Sequence, residues 1–248
     1  MKNHIEQEQQ KRELSPEEHK VAMSLETISS LEKKDKVFIV LVWKGLKTAT
    51  AVSFEPGAPE SEMRDLEKRV QKAGLLFKKT DHIITEEMYM VKQEARGLRP
   101  GRVCFVANNQ KDLDLISELW FGDHDNDPKV YKEMGRMSGF PQTAIDLYDK
   151  FTRLPDPEKE EVKKEIALSE REKSELFQTE PDLIPLAFTF YMSKVKEGKR
   201  VSFLESELET VRKWTKKIES VTPALYREFT DFFYRSAEFK KEYYERRN

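Results

Sequence analysis

Apolar residues first recur at helical spacing after Ser15. Ser15-Pro16-Glu17-Glu18 reads as a helix start: Ser15 caps, Pro16 suits the first turn, and Glu18 closes a capping box. Val21, Leu25, Ile28 and Leu31 then place one apolar face on that helix. The pattern changes at Lys36–Trp43 (KVFIVLVW), an unbroken apolar run rich in β-branched residues, which predicts a buried strand. Lys44-Gly45-Leu46 is expected to turn this strand back into Lys47–Phe54 as a hairpin. Met63, Leu66, Val70 and Ala73 mark an amphipathic helix that stops at Gly74. Leu75–Lys79, Met88–Gln93 and Arg102–Ala107 are three further strands, with a turn at Pro100-Gly101 before the last. Asp112–Trp120 is a helix.

Beyond Asp127 the pattern is helical. Asp127-Pro128 and Pro141 open two helices, and a charged helix is expected from about Pro157 to Phe177. Leu183–Glu197 is apolar on several sides and predicts a central core helix ending at Gly198. Ser202-Phe203-Leu204-Glu205 reads as a second capping box ahead of Leu208, Val211 and Ile218. Thr222-Pro223 starts a last helix with Leu225, Phe229, Phe232, Ser236, Phe239 and Tyr243 on its inner stripe. The expected fold class is therefore α+β: a small, mostly antiparallel sheet with helices on one face, followed by an all-α helical domain. The divisions fall at 1–35 (a tail and a docking helix), 36–122 (the α+β domain) and 123–248 (the all-α domain). Such a sheet leaves its second face to water or to a partner.

The 248 residues hold 44 Lys+Arg against 46 Asp+Glu, a net charge of −2, so no gross basic footprint points to nucleic acid or an anionic membrane. Long apolar runs and a secretory leader pattern are both missing, and a single cysteine forms no internal disulfide. The expectation is a soluble, cytoplasmic protein without a cofactor.

Four constellations are candidates for chemistry. Asp123, His124 and Asp125 lead into Asn126-Asp127 with oxygen ligands at alternate positions, as in the start of a calcium loop. Pro128 stands where that loop needs glycine, and the alternative is capping of the next helix by Asp127. Residues Met134–Tyr148 fit a helix-turn-helix pattern, in which Arg136, Gln142, Thr143 and Lys150 would meet nucleic acid; the alternative is a packing corner. Arg96, Arg99 and Arg102 around Pro100-Gly101 can hold an anion. Phe233, Tyr234 and Tyr244 lie off the inner stripe of the last helix and are candidates for a protein partner. Cys104, within an apolar strand, reads as a small buried hydrophobe, and Asp81-His82 as a turn between strands.

Gly135, Gly139, Phe140, Pro141, Ala144 and Ile145 form a Gly-x-x-x-Gly-aromatic-Pro-x-x-Ala-hydrophobic element. Through it, residues 102–151 resemble segments of uncharacterised prokaryotic proteins. Some of those carry paired cysteines after the proline, where this chain has Gln142-Thr143, so the resemblance implies no thiol or metal role there. It implies a shared corner between an α+β unit and helices, and no activity. The reading reached from sequence is a non-enzymatic binding or adaptor protein of a prokaryotic cytoplasm, with another protein as partner and no membrane association. Nucleic-acid binding through residues 130–150 is the first alternative. A metal-dependent enzyme using the Asp123–Asp127 cluster is the second.

Overall fold

The computed structural model describes residues 15–54, 57–84, 101–121, 127–169, 172, 192–197 and 200–231. Helix α1 (Pro16–Glu26) begins at the expected capping box: Ser15 Oγ accepts from the Glu18 N–H, and Glu18 accepts from the Ser15 N–H at 2.8 Å. Lys44 Nζ lies 3.0 Å from Glu18 Oε1. The Ser15 N–H, and after it the Lys44 ammonium, hold the Glu18 carboxyl down to about 2. Ala22 and Leu25 are buried, so this helix docks on the unit that follows it. It ends at Glu26, short of the expected face: Ile28 and Leu31 are buried beyond it, and Leu31 bridges Phe54.

The expected strand at Lys36–Trp43 is a helix, α2 (Lys33–Trp43). Val37, Ile39, Val40, Leu41 and Val42 are all at most 1% exposed, so α2 is covered on every side. An unbroken apolar run has no period, and a helix buried all round looks the same in sequence as a buried strand. Gly45 makes no hairpin. Its φ of 69° ends α2, with Gly45 N–H donating to the Val42 carbonyl and Leu46 N–H to that of Leu41. This is the paired 5→2 and 6→1 bonding of a Schellman turn.

Strands β1 (Ala49–Phe54), β2 (Leu76–Ile84) and β3 (Gly101–Ala107) form one antiparallel sheet in the order β1-β3-β2. Asp81-His82 lies within β2, at its register shift between Lys79 and Ile83, and not in a turn. The amphipathic helix is α3 (Glu60–Lys72), and α4 (Gln110–Phe121) follows β3. Helices cover both faces of the sheet. Val52, Phe54, Cys104 and Val106 pack with α2 and α3, while Ala49, Val103, Phe105 and Ala107 pack with Leu113 and Ile116 of α4. The second face is thus closed, because the period-2 alternation in β1 and β3 is apolar on both sides. The expected strand at Met88–Gln93 and the turn at Pro100 lie outside the described residues.

The C-terminal part is mostly helical. Helix α5 (Pro128–Met137) is capped by Asp127, whose carboxylate accepts from the Lys129 N–H at 2.9 Å. It is followed by α6 (Gln142–Thr152) and α7 (Asp156–Ile166). The last of these ends well before Phe177, where Ala167 makes an antiparallel bridge to Ser193. The expected helix over Leu183–Glu197 does not reach its end, because Lys194–Glu197 is strand β4, paired with β5 (Arg200–Phe203). Ser202 therefore belongs to a strand and makes no capping box. Helix α8 (Glu205–Val221) starts after Leu204 without a side-chain cap. Its Val211, Trp214 and Ile218 join the same core as α2, which lies between the sheet and α8. Residues 223–231 are helical, with Leu225 and Phe229 buried as expected.

Candidate functional site

Two helix ends meet beside β1. Helix α5 ends like α2: Gly139 has φ 68°, its N–H donates to the Arg136 carbonyl at 2.9 Å, and Phe140 N–H donates to that of Gly135 at 3.0 Å. A β-carbon on Gly139 would stand 2.1 Å from the Leu46 carbonyl oxygen, so only glycine lets the two ends touch. One on Gly135 would stand 2.8 Å from Ile145 Cγ1, and its absence lets α5 and α6 pack closely. Thr48 N–H donates to the Met137 carbonyl at 2.9 Å, and Asn108 Nδ2 to the Lys47 carbonyl at 3.1 Å.

This junction seats Lys47 in an aromatic box. Lys47 is 3% exposed, and its Nζ lies 4.1 Å from the Phe38 ring centre and 5.0 Å from those of Phe140 and Trp214. Among the described residues it has no hydrogen-bond acceptor and no carboxylate in ion-pair range. Lys36, also buried, donates instead to the Glu26 carbonyl at 3.1 Å. Burial pushes the Lys47 ammonium down to about 7. The three ring faces act the other way, since their quadrupoles favour the charged form.

Lys47 lines a pocket of about 250 Å³ that follows the edge of β1. Thr50, Ala51 and Ser53 contribute the strand. Asp35 and Phe38 of α2 form one wall, and Ile116, Trp120 and Met137 form the other. Trp120 is 43% exposed at this wall and meets Phe105 edge-on at 6.2 Å. At the end of the pocket away from Lys47, Asp35 accepts from the Ser53 N–H at 2.9 Å. Burial pushes the Asp35 carboxyl up to about 6, with that hydrogen bond opposing. A carboxyl held up and an amine held down by burial thus face one small space, the kind of paired perturbation found at binding and reaction sites.

Of the candidate site residues singled out from sequence, those described do not line this pocket. Arg136 is exposed and pairs with Glu133. Gln142 is exposed and donates to Asp146 at 2.8 Å, and Lys150 is exposed on α6. Thr143 is turned inward, donating at 2.8 Å to Glu207, which is 0% exposed. Glu207 also accepts from Ser193 N–H and Oγ, both at 2.6 Å. Thr143 therefore ties α6 to α8. Arg102 is half-buried on β3 and reaches the Thr80 carbonyl at 3.5 Å. Arg96, Arg99, Asp123, His124, Asp125, Phe233, Tyr234 and Tyr244 lie outside the described residues. No group of three or more His, Cys, Asp or Glu able to hold a metal occurs among the described residues. Cys104 is 0% exposed, and burial pushes its thiol up to about 12, far from the thiolate.

Sequence reasoning missed Lys47, Asp35 and Trp120. The box draws on Phe38, Lys47, Phe140 and Trp214, four separate stretches of chain, so no local spacing announces it. The nearest signal is the element carrying Gly139 and Phe140, which delivers both the close contact to Leu46 and one ring of the box. No family model, curated protein or solved structure matches the chain. Among the described residues no helix is long and apolar enough to cross a membrane.

Proposed function

We propose that this chain is a non-catalytic binding protein whose pocket receives a carboxylate on Lys47. One observation carries the reading: a buried lysine in a pocket wall, surrounded by ring faces and given no acceptor by the described residues. A charge held away from water costs several kcal/mol unless it is paired. An entering carboxylate supplies the missing partner, and the pair is stronger in this apolar box than in water. Trp120 and Ile116 give the ligand an apolar wall.

Calorimetric titration with propionate tests this. The expected result is saturable binding by the wild type, with proton uptake above about pH 7 as the ligand recharges Lys47, and loss of binding in Lys47→Met. Absence of binding, or equal binding by Lys47→Met, overturns the proposal.

A further inference from the structure

The open edge of β1 says more about the ligand. In an antiparallel strand, outward-pointing backbone groups recur at every second residue. Ser53 N–H points away from β3, because it is bonded to Asp35, so Ala51 also directs its N–H and C=O away from β3 and into the pocket. The chain itself fills the edge beyond Ala51, where Leu31 bridges Phe54 and Asp35 takes the Ser53 N–H. Toward Lys47, Met137 and Phe140 line the pocket. At Ala51 the carbonyl accepts only the Thr50 hydroxyl among the described residues, at 3.2 Å, which leaves a second lone pair. A backbone donor and acceptor therefore stand in one short gap, with Lys47 at its closed end.

We infer that the pocket takes the C-terminal residues of a partner polypeptide, paired antiparallel to β1 at Ala51 with the terminal carboxylate on Lys47. This rests on the carboxylate reading of Lys47 and names its source. Antiparallel pairing lets one ligand residue exchange both backbone hydrogen bonds with Ala51 and points the ligand's C-terminus toward Lys47. Ala51 stands four residues along the strand from Lys47, about 13 Å. Two more extended ligand residues cover about 7 Å of this, and the four-carbon lysine stem covers the rest. The gap thus fits a short terminus, and the helical walls of α2 and α4 exclude a second full strand.

The test compares three probes by calorimetry: acetyl-Val-Ala-Val with a free carboxylate, its C-terminal amide, and propionate. Two added backbone hydrogen bonds are expected to make the free-acid peptide at least about tenfold tighter than propionate. The amide is expected to lose about tenfold or more. N-methylation of the first valine, whose N–H meets the Ala51 carbonyl, is expected to bring the peptide back to propionate's level. The amide and N-methylated probes are both read on the unaltered protein, so the comparison requires no variant to fold. Propionate binding with no gain from the peptide, or no loss on N-methylation, overturns this inference and leaves the carboxylate pocket standing. Failure of both propionate and the free-acid peptide to bind overturns both.

Discussion

Replacing Lys47 with Met is expected to stabilise the protein at neutral pH. Met is unbranched and of similar length, so it fills the box of Phe38, Phe140 and Trp214 without a charge. Burial takes the ammonium from its ordinary 10.5 to about 7. At 1.36 kcal/mol per pH unit, holding this side chain in the box at pH 7 costs about 4 kcal/mol relative to a neutral one. The three ring faces return about 0.5–1 kcal/mol each, which leaves a net cost of about 2 kcal/mol. The folded lysine holds its proton less tightly than the unfolded one. Below 10.5 and down to the point where the folded lysine also holds its proton, which the rings lift above about 7, the unfolded chain therefore binds more protons, and this residue's contribution makes stability rise with pH. Lys47→Met lacks that rise, so its advantage over wild type shrinks to under about 1 kcal/mol by pH 10. Urea unfolding followed by circular dichroism at pH 7 and pH 10 measures both chains, with equal m-values required for the comparison. Taking the difference between the chains cancels the other groups that titrate in this range. A Met variant no more stable than wild type at pH 7, or an advantage unchanged at pH 10, would refute the reasoning.

The other predictions concern separate parts of the fold. Asp35, held up to about 6 from 3.8, keeps an extra proton in the folded state, so its contribution falls as pH rises from about 4 to 6, by up to about 3 kcal/mol. Asp35→Asn should lose that fall, and identical pH slopes for the two proteins in urea melts would count against it. Gly139→Ala meets both a left-handed backbone and the Leu46 carbonyl, and should destabilise by more than about 3 kcal/mol. Gly135→Ala meets only a side chain that can shift, and should cost about 1–3 kcal/mol; equal losses in thermal melts would show that the Leu46 contact does not matter. Glu207→Gln sets an amide N–H₂ against one of three donors from Thr143 and Ser193, and should cost about 2 kcal/mol. An unchanged melting temperature would mean that this cluster does not tie α6 to α8.

Helix starts and amphipathic faces were legible in sequence because both are local. Ser15 with Glu18, Asp127 with Pro128, and the Met63–Val70 face all form where the residues predict. Lys36–Trp43 was misread because its secondary structure is chosen by surroundings: the sheet lies on one side and α8 on the other, and a helix fills that space. The hairpin of β4 and β5 was hidden for a related reason. The apolar stretch before it suggested one long helix through Lys194–Glu197, although the two residues left between Glu197 and Arg200 match a tight hairpin loop. The open sheet face disappeared once α4 covered Phe105 and Ala107. The pocket was illegible because each of its parts is ordinary by itself. A lysine after a helix, an alanine in a strand and a phenylalanine after a glycine become a site only when Gly139 is pressed against Leu46.

The aromatic box also fixes when in the life of the chain the pocket can exist. During synthesis Lys47 leaves the ribosome long before Phe140, and Phe140 long before Trp214. The sheet of β1, β2 and β3 can pair before α8 is made, but Lys47 then remains in water as an ordinary surface cation. Closing the box requires contacts between distant parts of the sequence, which form late and slowly because each brings together the ends of a long loop. Until α8 docks, Trp214 is missing from the box and Lys47 is not enclosed by it. The enclosure of Lys47 thus depends on the completed fold, because its walls come from both ends of the described chain.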